Sequence, residues 1–203
     1  LNTAMGSRSL SVNTTGSSNV AIGNNSLHCF QTGSYNTAIG RSALAGAGES
    51  CGDGAGSTWS TGSYNTALGA ESLYKTTSGA YNAAVGYQSS YSNTTGSYNV
   101  AMGYQALYSN TVSNENVAIG HKALYTNTDS SLGRNVAVGT EALYANTSGV
   151  YNSAFGYQSM YNNTTGAYNS AFGPRSMLGN TTGELNTAMG SRSLSVNTTG
   201  SSN

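Results

Sequence analysis

The chain repeats one short pattern of polar and apolar positions from end to end. Every copy begins with Asn-x-Ala-x-Gly, whose alternation over a few residues is typical of a short β-strand. A second apolar segment follows, as at residues 105–108, and predicts a second strand. Asn-Thr-Thr-Gly, as at residues 93–96, then predicts a turn in which the Gly adopts a positive φ. One copy therefore predicts two short strands and the turns that join them.

The first Asn of the motif marks a regular period. The period is 17, as from Asn82 to Asn99, except that it is 29 from Asn36 to Asn65 and 19 from Asn116 to Asn135. This Asn occurs at Asn2, Asn19, Asn36, Asn65, Asn82, Asn99, Asn116, Asn135, Asn152, Asn169 and Asn186. Helical repeats need about 33 to 47 residues, whereas this shorter period suits one coil of a β-solenoid. We therefore predict an all-β fold, a parallel β-solenoid or β-roll of two-strand coils, forming one continuous array over residues 1–203.

A larger period is superimposed on the shorter one. Residues 1–19 return without a change as residues 185–203, which defines a super-repeat of ten coils that runs from Leu1 to Glu184. Because stacked coils are about 4.8 Å apart, one super-repeat predicts a rise of roughly 48 Å. We expect the chain to be a window of a longer tandem array that forms an end-to-end fibre.

Stacking would align equivalent residues of successive coils, which we number from the first Asn as position 1. The Asn row predicts a ladder of side-chain amides. Position 3 is Ala in every copy, including Ala4, Ala21 and Ala38, and predicts a row with room for one methyl group. Position 4 is always apolar but varies in size, and position 9 is usually Leu or Met. Because neighbouring strand residues point to opposite faces, we expect one face to line the interior and the other to contact another chain; the sequence leaves open which is which.

Composition argues against several classes of partner. Charged residues make up 7% of the chain, compared with about 25% in typical proteins, and the formal net charge is zero. The basic residues are scattered, so no basic patch is predicted to bind nucleic acid. No apolar run approaches the roughly 20 residues that span a bilayer, so no membrane span is predicted in this segment.

Several copies resemble repeats of a known family. Residues 36–40 and 116–120, Asn-Thr-Ala-Ile-Gly and Asn-Val-Ala-Ile-Gly, resemble the Asn-Ser-Val-Ala-Ile-Gly repeats in the heads of YadA-like trimeric autotransporter adhesins. The longer form of the repeat is also similar to repeats in phage and bacterial tail-fibre-like proteins. The resemblance covers every copy, although the period here is longer than that of the adhesin heads. It implies a parallel homotrimer of β-rolls, located extracellularly on a cell or virion surface, and it transfers no binding residue.

The longest copy contains an insertion at residues 45–56, which is rich in Gly and is followed by Trp59. Insertions in solenoids form loops on one face, which is often the binding face. Glu49, Asp53 and Trp59 are therefore the residues of a possible binding loop; the alternative is a tolerated surface loop in which Trp59 covers exposed core. Two carboxylates would hold Ca²⁺ only weakly, because calcium takes six to eight oxygen ligands. We predict no metal site and no cofactor.

The two cysteines, Cys29 and Cys51, lie in neighbouring coils. In an extracellular setting we predict a disulfide that pins the insertion. Two buried thiols and a bond between chains are the alternatives. A zinc site is not predicted, because His28 and His121 lie in different coils and no Cys-x-x-Cys motif is present.

The sequence favours a structural role. Both histidines lie at variable positions and the carboxylates are unpaired outside the insertion, so we expect no enzyme activity. We favour a structural or adhesive fibre shaft that mediates surface attachment or contacts between cells and matrix.

Two other functions compete with the shaft. One is a carbohydrate- or receptor-binding module that uses residues 45–59, or the recurrent Tyr residues of positions 10 and 17, to contact a cell-surface glycan or protein. The other is an ice-binding solenoid, suggested by the recurrent Thr14, Thr94, Thr164 and Thr181. Asn93 and its equivalents also form glycosylation sequons, for which we favour a turn role.

Overall fold

Successive copies of the repeat stack as coils along one axis. The computed structural model describes residues 1–46, 51, 59–128 and 132–203. Eleven strands of three residues each follow the first Asn of the copies. They are β1 (Thr3–Met5), β2 (Val20–Ile22), β3 (Thr37–Ile39), β4 (Thr66–Leu68), β5 (Ala83–Val85), β6 (Val100–Met102), β7 (Val117–Ile119), β8 (Val136–Val138), β9 (Ser153–Phe155), β10 (Ser170–Phe172) and β11 (Thr187–Met189).

The strands form one parallel sheet in chain order, from β1 to β11. Each strand pairs with its neighbour so that the position-3 Ala lies opposite the next position-3 Ala, as Ala101 does with Ala118. The same register is kept across the longest copy, where Ala38 lies opposite Ala67. The predicted all-β parallel solenoid is therefore confirmed. No helix in the described parts of the chain has the length and hydropathy to cross a bilayer.

Where the structure describes the coils, they contain one strand each, so the predicted second strand has a different local geometry. In the coil that begins at Asn99, Gln105 (φ 52°) and Leu107 (φ 54°) adopt left-handed backbone conformations, which an extended strand excludes. The segment still bonds along the axis, because the Leu107 N–H donates to the Ala123 carbonyl at 2.9 Å. A short coil must curve back on itself, and alternate left-handed residues bend the chain where a second strand would keep it straight.

The predicted role of Gly in the Asn-Thr-Thr-Gly turn is also wrong. Positive φ occurs instead at Tyr98 (φ 61°) in position 17 and at Gly103 (φ 135°) in position 5. Gly96 is required because space is lacking: a Cβ there would lie 2.4 Å from Asn93 Oδ1 and 2.6 Å from the Ser113 carbonyl oxygen. The turn therefore selects Gly for a close approach of side chain and backbone.

The interior is narrow and is lined by positions 3, 8 and 9. Ala101, Ala106 and Leu107 are completely buried, and the same rows are buried in the other central coils. Position 4 lies on the opposite face of the strand, where Met102 is 42% exposed and Ile119 is 37% exposed. The structure thus decides what the sequence left open: the Ala row faces the interior and the variable apolar row faces outward.

Candidate functional site

The predicted row of Asn residues at position 1 lies along one inner edge of the coil. The Asn99 backbone N–H donates to Asn82 Oδ1 at 3.0 Å. Its side-chain Nδ2 donates to the same oxygen at 3.2 Å and to the Ser113 carbonyl at 2.9 Å. Asn99 Oδ1 in turn accepts from the backbone and the side chain of Asn116 at 3.0 and 3.1 Å. These bonds join three successive coils through buried amides.

The first coil is the exception to this burial. Every position-1 Asn from Asn19 to Asn186 is buried, whereas Asn2 is exposed and donates its Nδ2 to the Gly16 carbonyl. Ala21 and Ala38 are completely buried, while Ala4 is exposed in the same end coil.

A second ladder of buried amides runs along position 12, which sequence analysis treated only as turn residues and sequons. Asn110 Nδ2 donates to Asn93 Oδ1 at 3.0 Å, and each later member donates to the one before it. The buried members are Asn93, Asn110, Asn127, Asn146, Asn163 and Asn180. Because these amides are buried and bonded, the folded coil has no room for a glycan on them. The strict recurrence of Asn at position 12 is the sequence signal that indicates this ladder.

Tyrosine rings form two further ladders on the outside of the coils. At position 10, the rings from Tyr74 to Tyr161 stack with centroids 5.0–5.2 Å apart. At position 17, the rings from Tyr35 to Tyr98 stack with centroids 4.8–5.0 Å apart. Rings inside a ladder are sandwiched between neighbouring rings, so they present edges and hydroxyl groups outward. This arrangement disfavours stacking of sugar rings on the aromatic faces.

The position-10 ladder predicts loss of stability at alkaline pH. Burial, and then the neighbouring Tyr91 and Tyr125, raise the pKa of Tyr108 above 10.0. Burial and Glu141 raise the pKa of Tyr161 in the same direction. The folded state favours the neutral phenol of Tyr108. The stabilisation of the fold by this neutral phenol is therefore fully present below pH 10 and is lost as the pH rises through the folded pKa.

We expect the urea midpoint to fall above about pH 10 and Tyr108→Phe to reduce that fall. Urea unfolding between pH 8 and pH 12 measures both effects. This range extends about two pH units on either side of the ordinary pKa of a phenol. An equal alkaline fall in the variant and the wild type would contradict this assignment.

Three rows of side chains, at positions 17, 2 and 4, form the exposed side of the sheet, and we call this surface the outer face. Positions 2 and 4 point away from the inward-facing position 3, as alternation along a strand requires, and position 17 is exposed just before the buried position-1 Asn, as Tyr98 is before Asn99. Exposed apolar side chains lie along its whole length, including Tyr98 (59%), Met102 (42%) and Phe172 (40%). Eleven coils make this face roughly 48 Å long and 13 Å wide, or about 600 Å².

One charged pair interrupts the position-17 row of the outer face. Arg134 Nε donates to Glu115 Oε2 at 2.8 Å, which lowers the pKa of that carboxyl. Arg134 also lies over the Tyr151 ring, 5.4 Å from its centroid. The pair therefore fills a gap between two stretches of stacked Tyr rings.

The predicted disulfide between Cys29 and Cys51 is confirmed and lies within one chain, with the two Cα atoms 5.2 Å apart. Trp59, which follows the insertion, is 36% exposed. Glu49 and Asp53 lie outside the described residues, so the binding loop stays a prediction.

The Thr residues that suggested ice binding hydrogen-bond to the next coil. Thr94 Oγ1 donates to the Thr111 carbonyl at 2.9 Å, and Thr164 Oγ1 donates to the Thr181 carbonyl at 3.1 Å. Thr14 and Thr181 donate in the same way. These hydroxyl groups serve the stacking of the coils, which argues against an ice-binding surface built from them.

The geometry is that of a repeat protein whose side chains bond coil to coil. Comparison with known proteins finds no matching family model, no similar curated protein and no similar solved structure.

Proposed function

We propose that this chain is a segment of an extracellular fibre shaft, in which parallel copies associate as a homotrimer and mediate surface attachment or contacts between cells. The observation that carries the proposal is the outer face, whose position-4 row is apolar in all eleven coils. Its backbone groups already bond to neighbouring coils, so it needs no further strand. The groups of the outer face that still lack a packing partner are its apolar side chains.

A second copy of the same chain is the partner that fits this face. The face has the period of the coil, and only a surface with the same period matches it row for row over its whole length. Its area of about 600 Å² is somewhat below the roughly 800 Å² per partner of a standard interface. Each added super-repeat extends the contact by the same amount, so a longer array would exceed that threshold. Three-fold, parallel association is what the resemblance to YadA-like repeats implies.

The fibre and its location have separate support. The identity of residues 1–19 with residues 185–203 favours a tandem array, in which each further copy of the super-repeat lengthens the shaft. Each super-repeat would add roughly 48 Å of rigid shaft. The Cys29–Cys51 disulfide favours an oxidising compartment, which supports an extracellular location.

Two adjacent charges on the outer face are expected to dissociate the assembly. In Met102→Lys/Ile119→Lys, both lysines would stand in the contact between copies, where an unpaired charge is costly to bury. We expect the wild-type chain, of 20.7 kDa, to sediment as a trimer and this variant to shift toward the monomer, with affinity lower by at least about 100-fold.

The matched control is Thr95→Lys/Val112→Lys, which places two charges on adjacent coils of another face. Val112 is 39% exposed, close to the 37% of Ile119, so the control changes an equally accessible apolar side chain. Sedimentation equilibrium should find the control trimeric. Equal dissociation of both variants, or a monomeric wild-type chain, would remove the outer face as the contact.

A further inference from the structure

A third row of aromatic side chains, at position 6, is interrupted in the eighth coil. Tyr104 and His121 of the sixth and seventh coils stack with centroids 5.3 Å apart and with 9° between their planes. The eighth coil has Thr140 at this position, and the ninth has Tyr157. A short side chain therefore stands where a ring would continue the stack.

Backbone hydrogen bonds hold this part of the row in line. The His121 carbonyl accepts from the Glu141 N–H at 2.9 Å, and the Thr140 carbonyl accepts from the Gln158 N–H at 2.9 Å. Because successive coils are about 4.8 Å apart, His121 and Tyr157 lie roughly 9.6 Å apart along the axis. We call the space between these two rings, beside Thr140, the ring gap.

Both rings turn a face toward the ring gap. Tyr104 covers one face of His121, so the other face points toward the coil of Thr140. Arg175, which belongs to the tenth coil, lies over the Tyr157 ring, 5.6 Å from its centroid. The other face of Tyr157 therefore points back toward Thr140. Tyr157 is 45% exposed, and His121 and Thr140 are also exposed, so the ring gap opens to solvent.

Hydrogen-bonding groups lie beside the ring gap. Glu141 follows Thr140 in the chain, and its Oε2 accepts from Gln158 Nε2 at 2.9 Å, which fixes the carboxylate. An ionised carboxylate has about four acceptor sites, so it can accept from a further donor. The Thr140 hydroxyl can both donate and accept. Apolar ring faces with a few fixed polar groups are the usual lining of sites for small molecules.

We propose that the ring gap binds a pyranose ring of a glycan between His121 and Tyr157. A ring at the level of Thr140 would lie about 4.8 Å from each wall, close to the 5.3 Å between Tyr104 and His121. Aromatic faces are electron-rich and attract the C–H groups of a sugar face. Hydroxyl groups at the sugar's edge bond to Glu141 and Thr140. The site uses residues of one chain and does not depend on the proposed trimer.

Two aromatic walls select the configuration of the sugar. In the chair of a β-glucopyranoside, every hydroxyl group is equatorial, and both faces present axial C–H groups. A β-galactopyranoside has an axial 4-hydroxyl group, which would lie against one of the aromatic faces without a good acceptor. A flat aromatic molecule would contact both walls but would offer the Glu141 carboxylate no donor. The geometry therefore favours the gluco configuration.

The test titrates the whole chain with methyl β-D-glucopyranoside and, separately, with methyl β-D-galactopyranoside, and follows both by NMR. The chain has two histidines, so comparison with His28→Gln assigns the ring protons of His121. We expect the glucoside to shift the His121 signals with a Kd of about 1 mM. The galactoside should bind at least about 5-fold more weakly. C–H protons on both faces of the bound glucoside should shift upfield, because aromatic rings lie on both sides.

Thr140→Tyr is the sharpest variant, because it fills the ring gap with a side chain that the row already accommodates. Position 6 is Tyr in three other coils, at Tyr87, Tyr104 and Tyr157. We expect this variant to lose glucoside binding while circular dichroism shows an intact solenoid. Ala70→Tyr is the matched control, because Ala70 interrupts the same row four coils earlier, and it should bind as the wild type does. Tyr157→Ala removes one wall and should weaken binding at least about 10-fold.

Three results would overturn the proposal. They are unchanged His121 signals with the glucoside, equal binding by Thr140→Tyr and Ala70→Tyr, and a shift of the His121 signals by phenol but not by the glucoside. The titration is repeated with Met102→Lys/Ile119→Lys, which separates this site from the assembly of copies. Equal affinity per chain is expected there, and loss of binding in that variant would contradict a site contained in one chain.

Discussion

Replacing Gly103 by Ala is expected to break the stack between the sixth and seventh coils and to lower the free energy of unfolding by about 4 kcal/mol. Gly103 has φ 135°, which costs an L-residue about 1–3 kcal/mol. An added Cβ would also lie 2.5 Å from the Gly120 carbonyl oxygen and 2.8 Å from its carbonyl carbon. Both contacts are with backbone, which cannot rotate away, so the coils would have to separate.

Gly190→Ala is the matched control for this prediction. Gly190 occupies the same position in the last coil, with φ 110° and no heavy atom within 4 Å of the Cβ position. We expect Gly190→Ala to lower the free energy of unfolding only by the cost of the left-handed backbone conformation, about 1–3 kcal/mol. Urea unfolding compares the two variants, and hydrogen exchange of the Gly120 amide, which donates to the Met102 carbonyl, locates the break. Equal losses in both variants would show that close stacking of glycines contributes nothing.

Asn99→Leu is expected to lower the free energy of unfolding by about 3–5 kcal/mol, although Leu has a similar size. The substitution removes a side chain that donates to Asn82 Oδ1 and to the Ser113 carbonyl. It also leaves the buried backbone N–H of Asn116 without its acceptor. Each buried polar group that loses its partner costs about 1–3 kcal/mol, and no water can reach these positions cheaply.

Asn162→Leu tests whether the loss comes from the ladder. Asn162 is exposed on the outside of its coil, so we expect a change within about 0.5 kcal/mol. Both variants are compared by urea unfolding monitored by circular dichroism. If Asn99→Leu were no more destabilising than Asn162→Leu, the amide ladder would not be the element that holds the coils together.

The period and the constant residues were enough to predict the solenoid and its stacking register, whereas the predicted pairing of Cys29 with Cys51 also needed the assumption of an extracellular setting. They could not predict the geometry of the second segment, because Gln105 and Leu107 have no intrinsic preference for left-handed conformations. Those conformations persist because hydrogen bonds to neighbouring coils fix both residues: Gln105 donates to Tyr87 and Leu107 donates to Ala123. Tertiary bonding of this kind overrides local propensity, so sequence alone does not reveal it.

The second amide ladder was missed for a related reason. Asn93 heads an Asn-Thr-Thr-Gly segment, and that composition is equally typical of a turn. Only the stacking of coils shows that the same Asn forms the turn and bonds to the next coil. The direction of the strand faces was also undecided, because positions 3 and 4 are both apolar. In the structure the constant Ala row is inside, where space is fixed, and the row that varies in size is outside.

The most direct test of the fibre is electron microscopy of the assembled material, with the number of chains counted in cross-section. We expect three parallel chains, layers about 4.8 Å apart and a longer axial period near 48 Å from the super-repeat. A shaft with one chain or two chains in cross-section would contradict the proposed assembly, even if its layer spacing matched.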